Sequence, residues 1–453
     1  MNTMPTSTQT ATAKNTVKSL QRPKGMMDIL PDMAYKWRYL EHRLIQTLTQ
    51  RGYQEIRLPL LEYTELFVRG IGEETDVVSK EMFTFEKSER SLTLRPEGTA
   101  GAVRAFLENG LHRTPSPQKL FYLGPMFRYE RPQAGRQRQF HQMGVELLGI
   151  SSAAADAEVI LTAWTLLKQA GIPESAMKLE INSIGSGASR QAFVEGLKTI
   201  LEPMLGHLCE NCQERFTKNP LRMLDCKKEG CQTHYQGEIV QDYLEHSTPL
   251  NADWEACLQV KAILEANGLP VSINRRLVRG LDYYTGVVFE ISSHLLGAQS
   301  AVCGGGRYDT LVQSLGGQAT PATGFAIGLE RLMMLTQTEP PAIQGVYIVC
   351  DDSSHAEAFQ LASLLHQEGV PCEVDLSGRP FGKQLATAEK RHASIAVLRG
   401  TSEREAQHWQ CKCLHTREQH TLSGEMVSVA HQIKHFVALS MPLDTIDTTP
   451  QTP

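Results

Sequence analysis

The chain has 453 residues, 41% hydrophobic and 21% charged, with 45 Lys+Arg against 50 Asp+Glu and a net charge of −5. That composition excludes a wholly disordered chain and a globally basic nucleic-acid coat, and the length accommodates about three domains. No apolar run reaches the ~18 residues of a membrane helix, and ten scattered cysteines do not form a secreted disulfide pattern, so the expectation is a cytoplasmic chain with no membrane partner.

Residues 1–20 are rich in Thr and Ser, carry Lys14 and Lys18 and no acid, and read as a disordered tail. An organelle-targeting segment is the sharper alternative, opposed by the absence of Arg before Arg22. Over 34–51, Trp37, Leu40, Leu44, Ile45 and Leu48 recur at helical spacing, and Gly52 stops the helix. A short extended run follows around Ile56, Leu58 and Pro59. LRPEGTAGAVRAF (94–106) puts Glu97 and Thr99 at a helix start near Pro96. Residues 118–149 read as two strands around a polar loop, and 156–170 as a helix ended by Gly171 and Pro173. The first block of a larger domain thus spans 21–170.

From 171 to 270, helical segments and a cysteine-bearing stretch predict an inserted, mostly helical subdomain. The larger domain resumes over 271–338. There RGLDYYTGVVFEI (279–291) places Arg279, Asp282, Tyr283 and Tyr284 before a β-branched strand, GGGRYD (304–309) reads as a flexible turn, and TGFAIGLERLMML (323–335) as a helix carrying Arg331. Pro340 and Pro341 mark a linker over 339–344. Strand and helix signals then alternate through 345–436, predicting a small α/β domain with a mainly parallel sheet, and 437–453 reads as a loose end.

The 118–149 hairpin carries chemistry. By the two-residue period, Arg128 and Glu130 share a face, as do Gln142, Gly144 and Glu146; Leu123, Phe127, Met143, Val145 and Leu147 take the other. A half-solvated antiparallel sheet would show the same alternation. The loop adds Arg131, Arg136 and Arg138, so four arginines fall within eleven residues, dense enough to hold phosphate or carboxylate; a charged surface hairpin is the bland alternative. Cys209 and Cys212 form a C-x2-C, followed by Cys226 and Cys231 as C-x4-C. That spacing is open to a tetrahedral zinc or to reduced, partly buried thiols.

These motifs resemble the histidyl-tRNA synthetase family of class II aminoacyl-tRNA synthetases over about 20–436. FRYERPQAGRQRQFHQMGVE (127–146) is similar to the class II motif of Phe-Arg-x-Glu and an arginine-rich loop, GLER (328–331) to the third class motif, and LVRGLDYYTG (277–286) with RPEGT (95–99) to the histidine-specific elements. The resemblance implies an α+β class II catalytic domain, an antiparallel sheet flanked by helices, with a mostly helical insertion and a C-terminal α/β anticodon-binding domain. It implies a homodimer, with the helix at 34–51 near the interface, whose partners are ATP with Mg2+, L-histidine and tRNA(His).

By that resemblance Arg128 contacts the ATP α-phosphate and the amino-acid carboxylate, Glu130 the adenine side, and Arg136 and Arg331 the distal phosphates. Arg279 neutralises charge at the α-phosphate. Glu97, Thr99 and Gln142 surround the α-amino group, and Glu146 and Tyr284 read the imidazole, with Tyr283 beside them. Arg131 and Gln133 approach the acceptor stem. The insertion of bacterial relatives does not depend on its cysteines for metal, which favours reduced thiols over zinc at Cys209, Cys212, Cys226 and Cys231.

The chemistry fits these assignments. A carboxylate attacks the α-phosphorus, so two anions must meet, and fixed cations lower that repulsion. Neutral imidazole has one donor and one acceptor nitrogen, which a carboxylate and a phenol can read together. Residues 345–435 hold nine Lys+Arg against eleven Asp+Glu, so RNA binding there must rest on locally placed cations such as Arg379, Lys383, Lys390 and Arg391. A non-charging regulatory paralogue of the same fold would lack this block, the arginines and the RGLDYY element.

Overall fold

The computed structural model describes residues 19–340 and 345–439; residues 1–18 of the tail expected over 1–20, linker residues 341–344 and the end over 440–453 lie outside the described residues. The chain divides into two compact units between Thr338 and Glu339.

The first unit begins α1 (Pro31–Gln50), β1 (Gln54–Glu55), β2 (Leu61–Tyr63), α2 (Thr64–Ile71), β3 (Phe83–Lys87), β4 (Arg90–Leu94) and α3 (Thr99–Glu108). Then come β5 (Gln118–Phe127), β6 (Gln139–Leu148), α4 (Ala153–Gln169) and β7 (Met177–Ser183). The helices α5 (Gly187–Leu201), α6 (Glu210–Lys218), α7 (Glu229–Tyr235), α8 (Glu238–His246) and α9 (Asn251–Ala266) follow. The chain returns through β8 (Val271–Ile273), β9 (Thr285–Ser293), β10 (Ala301–Arg307), α10 (Leu311–Ser314), β11 (Ala322–Gly328) and α11 (Leu329–Leu335).

Eight of these strands form one sheet in the order β1-β5-β6-β11-β10-β9-β7-β8. Its outer pairs are parallel and the pairings between them antiparallel. The two-residue period gives it two unlike faces. One carries Leu123, Met143, Ile327 and Ile291 on one row of the register and Phe121, Val145, Phe325 and Phe289 on the next. Most of these join Trp37, Leu40 and Leu44 of α1 and Val159, Ile160 and Trp164 of α4 in one core, with Leu123 packed at its margin. Burying side chains of this size contributes about 1.5–3 kcal/mol each, so the two helices fix the back of the sheet. The other face is the floor of the site.

Two local expectations are overturned. Residues 323–328 are strand, not the first half of a helix: β11 pairs with both β6 and β10, and the helix starts only at Leu329. Nor is 304–309 a flexible turn, because Gly304, Gly305 and Gly306 lie buried inside β10 and are paired on both sides. Their missing side chains serve close packing, which the sequence signal of a turn cannot distinguish. The expected insertion boundaries at 171 and 270 also differ from the geometry. β7 and β8 are strands of the large sheet, so the helical excursion lies between Ser183 and Val271.

The second unit contains β12 (Val346–Cys350), α12 (His355–Gln367), β13 (Cys372–Val374), α13 (Phe381–Lys390), β14 (Ile395–Arg399), α14 (Thr401–Glu405), β15 (His408–Cys413), β16 (Gln419–Ser423) and α15 (Met426–Leu439). Its sheet runs β13-β12-β14-β15-β16, parallel across the first three strands and antiparallel across the rest. The β15–β16 hairpin goes beyond the alternation read from sequence. Residues 437–439, assigned to a loose end, complete α15, and Val437 is buried. Arg379, Lys383, Lys390 and Arg391 are all exposed. No helix among the described residues is long and apolar enough to cross a membrane.

Candidate active site

The polar face of the large sheet floors a cavity of about 470 Å³. The centre of its floor is made of glycines and an alanine. Tyr122, Gly144, Ala326, Gly304 and Glu290 form one row across β5, β6, β11, β10 and β9, and Glu146, Gly324 and Gly306 lie in the next. A Cβ on Gly324 would stand 2.1 Å from a Glu146 carboxylate oxygen, and one on Gly304 would stand 1.9 Å from the Arg279 guanidinium. The bare backbone therefore lets two charged side chains lie flat on the sheet.

Glu146 is the centre of the deep end, 1% exposed. Thr99 Oγ1 donates to its Oε1 at 2.8 Å and Tyr122 OH donates to the same oxygen at 3.3 Å, while Tyr308 OH donates to Oε2. Burial pushes the carboxyl up to about 8, against the three hydroxyl hydrogen bonds that favour its ionised form. Tyr283 packs edge-on to Tyr308 and tilted on Tyr284, with ring centroids 5.7 and 4.7 Å apart. The result is a buried carboxylate ringed by phenols, shaped for a small polar ring.

Glu97 sits just before α3 and accepts the backbone N–H groups of Thr99 and Ala100 at 2.7 and 2.9 Å. It thereby satisfies two of the donors a helix start leaves unpaired. Burial still raises its carboxyl above the ordinary value. Gln142 projects from β6 with its Oε1 buried and without a hydrogen-bond partner among the described residues. An unpaired buried acceptor costs about 1–3 kcal/mol, so a ligand donor is its natural complement.

The open end is cationic. Arg128 follows β5, donates from Nε to Pro96 O at 2.8 Å, and lies over Phe140 with Cζ 5.4 Å from the ring centre. Arg136 meets Glu130 at 3.2 Å, and Arg331 at the start of α11 donates to Gly135 O at 3.3 Å and to Ala301 O at 2.6 Å. The arginine loop is thus folded back on α11. Arg279 donates to Glu290 at 2.9 Å, and its Nε is buried without a partner among the described residues. All four arginines line the same cavity as Glu97, Thr99, Gln142, Glu146, Tyr283 and Tyr284.

Two expected residues stand apart. Arg131 and Gln133 are exposed on the hairpin loop and do not line the cavity. Conversely, Tyr122, Tyr308 and Glu290 join the site without having been singled out. Tyr122 was legible from alternation, since it shares the Gln142–Glu146 face across from Gly144. Tyr308 had no such signal, because it follows a strand that reads as a turn.

The family described as histidyl-tRNA synthetase matches residues 25–332, and the anticodon binding domain family matches residues 344–433. The histidine–tRNA ligase of Desulfitobacterium hafniense is 44% identical over 396 residues, covering 85% of this chain and 91% of that protein. That of Rippkaea orientalis is 46% identical over 427 residues, covering 93% and 98%. The solved apo structure of S. aureus histidyl-tRNA synthetase superposes with a TM-score of 0.74 at 32% identity, covering 93% of this chain and 99% of that one. A likeness that spans both units and includes the whole cavity decides the matter: the chain belongs to the histidyl-tRNA synthetase family.

Proposed function

We infer that the chain joins L-histidine to ATP as histidyl-adenylate, releasing pyrophosphate, and then transfers histidine to the 3′ end of tRNA(His). The observation that carries this reading is the union, in one cavity, of a buried carboxylate ringed by phenols with four arginines. Histidine binds at the deep end, its ring N–H donating to Glu146 and its other nitrogen meeting the Tyr284 side, with Tyr283 holding the aromatic wall. Glu97, Thr99 and Gln142 receive the α-ammonium group, for which the unpartnered Gln142 Oε1 is a ready acceptor.

The histidine carboxylate then faces the α-phosphate between Arg128 and Arg279. No general base is required, because the nucleophile is already ionised. The arginines supply fixed positive charge where negative charge accumulates, as in other phosphoryl-centred reactions. Arg136 and Arg331 hold the distal phosphates that leave as pyrophosphate, and Glu130 lies on the adenine side. Mg2+ would enter with ATP as a charge-neutralising partner of the phosphates, and Glu290, which accepts from Arg279, is a cavity carboxylate of the kind that would hold it.

Arg131 and Gln133, exposed beyond the cavity, suit contact with the tRNA acceptor stem. The exposed Lys383, Lys390 and Arg379 on or beside α13 suit the anticodon. A cytoplasmic homodimer fits the exposed Leu61, Tyr63 and Phe85 on the small β2-β4-β3 sheet, an apolar surface that a second copy would cover. The test is histidine-dependent ATP–pyrophosphate exchange without tRNA, comparing the unaltered chain with Arg279→Ala. Exchange specific for histidine and lost in the variant is expected; histidine binding without exchange would move the reading to a non-charging regulatory paralogue.

A further inference from the structure

The segment between α5 and α8 is built from pieces that are too short to be stable alone. α6 has nine residues, α7 has seven, and a single 3-10 turn, Pro220–Met223, lies between them. Isolated helices of this length do not persist in water. Yet this segment carries Arg215 and Arg222, which line the catalytic cavity and pair with Asp76. Leu208, Leu221, Met223 and Leu224 pack it into the core, and apolar packing alone does not fix the register of such short pieces.

Four cysteines converge there from separate stretches. The sulfurs of Cys209, Cys212, Cys226 and Cys231 all lie within 4.8 Å of one another, and the Cys209 and Cys226 sulfurs are 3.9 Å apart. Cys212, Cys226 and Cys231 are buried and Cys209 is half-buried, and all four are free thiols. The backbone N–H of Cys209 donates to the Cys231 sulfur at 3.3 Å, the type of outer hydrogen bond that orients a metal thiolate. A tetrahedral zinc with Zn–S bonds of about 2.3 Å spaces its sulfurs about 3.8 Å apart. The observed cluster needs only a small contraction to reach that geometry, and the C-x2-C and C-x4-C spacings deliver two ligands from each end of the segment.

We propose that Cys209, Cys212, Cys226 and Cys231 bind one zinc ion as a structural tetrathiolate, and that this ion pins the α6–α7 segment with Arg215 and Arg222 against the catalytic cavity. The site takes no part in adenylation. On binding, the four thiols release their protons to solvent and the sulfurs become metal ligands, with no change of oxidation state. This reverses the preference for plain reduced thiols that the resemblance implies, because the structure supplies the convergence that spacing cannot.

The first measurement is the elemental zinc content of the full-length chain purified under reducing conditions without chelator or metal-affinity resin. One zinc per chain is expected. Exchange of cobalt into the intact protein should give the intense thiolate charge-transfer and d–d bands of a tetrahedral tetrathiolate. Cys212→Ser and Cys231→Ser should each lose the metal, but because either could misfold, the cobalt spectrum of the unaltered chain decides ligand identity independently. Removal of zinc by chelator should raise hydrogen exchange over 208–232 while the large sheet stays protected. Metal-free protein with four titratable thiols in this segment would overturn the site, and so would cobalt bands lacking thiolate character. Zinc loss without any change in exchange over 208–232 would overturn its positioning role.

Discussion

The guanidinium of Arg279 lies against the bare backbone of Gly304, where a Cβ would stand 1.9 Å from Nη2 and 2.3 Å from Cζ. The obstacle is the far end of a flexible side chain, so Gly304→Ala should displace Arg279 and spare the sheet. Pyrophosphate exchange should fall by ~100-fold, the scale of losing one preorganised charge at a transition state, with little change in melting temperature. Gly305→Ala is the contrasting case. Its Cβ meets Gly324 O at 2.2 Å and Phe325 Cβ at 2.6 Å, neither of which can yield easily. That variant should lose about 1–3 kcal/mol of stability. Thermal melts set beside exchange rates separate the two effects, and a Gly304→Ala enzyme with normal exchange would refute the displacement.

Glu146 should set a pH dependence of stability. Its carboxyl rises from 4.5 to about 8 on folding, chiefly by burial. The folded state therefore holds a proton that the unfolded state releases. The stabilisation is fully present below the unfolded value and is lost as pH climbs to about 8, at about 1.4 kcal/mol per unit. Glu146→Gln cannot ionise and should flatten this decline, becoming the more stable protein by a few kcal/mol above pH 8 while losing histidine activation. Denaturant melts between pH 5 and 9 would show parallel curves if Glu146 were not responsible.

The same group should shape the dependence of kcat/KM for histidine on pH. An imidazole N–H needs the ionised carboxylate as acceptor, so activity should fall as pH drops below the Glu146 transition. Tyr308 donates to that carboxylate and favours its ionised form. Tyr308→Phe should therefore move the acidic limb to higher pH, by an energy of about 1 kcal/mol. A limb that stays in place would remove Tyr308 from the histidine pocket.

Arg136 should act on ATP alone. It lines the cavity beside Glu130 with its side chain partly in solvent, whereas Glu146 is buried. Arg136→Ala should raise KM for ATP by about 10–100-fold, as expected for a lost charge-assisted hydrogen bond, and leave KM for histidine nearly unchanged. Equal effects on both constants would mean that the variant had disturbed the hairpin instead.

Much of this site was legible because its residues lie in local motifs. Arg128, Glu130 and Arg136 follow one strand, Gln142 and Glu146 alternate on the next, and Glu97 and Thr99 begin one helix. What the sequence concealed were relationships that the sheet creates between distant strands. Gly304, Gly305 and Gly306 read as a turn because local propensity cannot register a guanidinium crossing from Arg279 or a β11 backbone pressing from the side. The strand at 323–328 carries residues a helix would also accept, and its pairing with β6 and β10 decided the outcome. The four cysteines were visible, but their convergence depends on how α6 and α7 fold back.

A polar latch joins the helical segment to the cavity rim. Asp76 accepts from Arg222 Nη2 at 2.6 Å and from Arg215 Nη2 at 3.5 Å, and Asn219 donates to Asp282 at 2.6 Å. Asp282 belongs to the same RGLDYY element that supplies Arg279 and Tyr284 to the cavity lining, so the latch ties the helical segment to that lining. Partial burial pushes the Asp76 carboxyl up, but Arg222 and Arg215 pull it below its ordinary value. The pairing is therefore at full strength above the ordinary carboxylate range and is lost only as pH falls through the depressed value. Asp76 is 40% exposed, so solvent screening limits the coupling to about 1 kcal/mol. Asp76→Ala should raise hydrogen exchange across 210–223 and lower kcat/KM for exchange several-fold, and added salt should reproduce part of the effect in the unaltered chain. A double-mutant cycle of Asp76→Ala with Arg222→Ala measures the coupling directly; additive effects would show that the two residues are neighbours without being a latch.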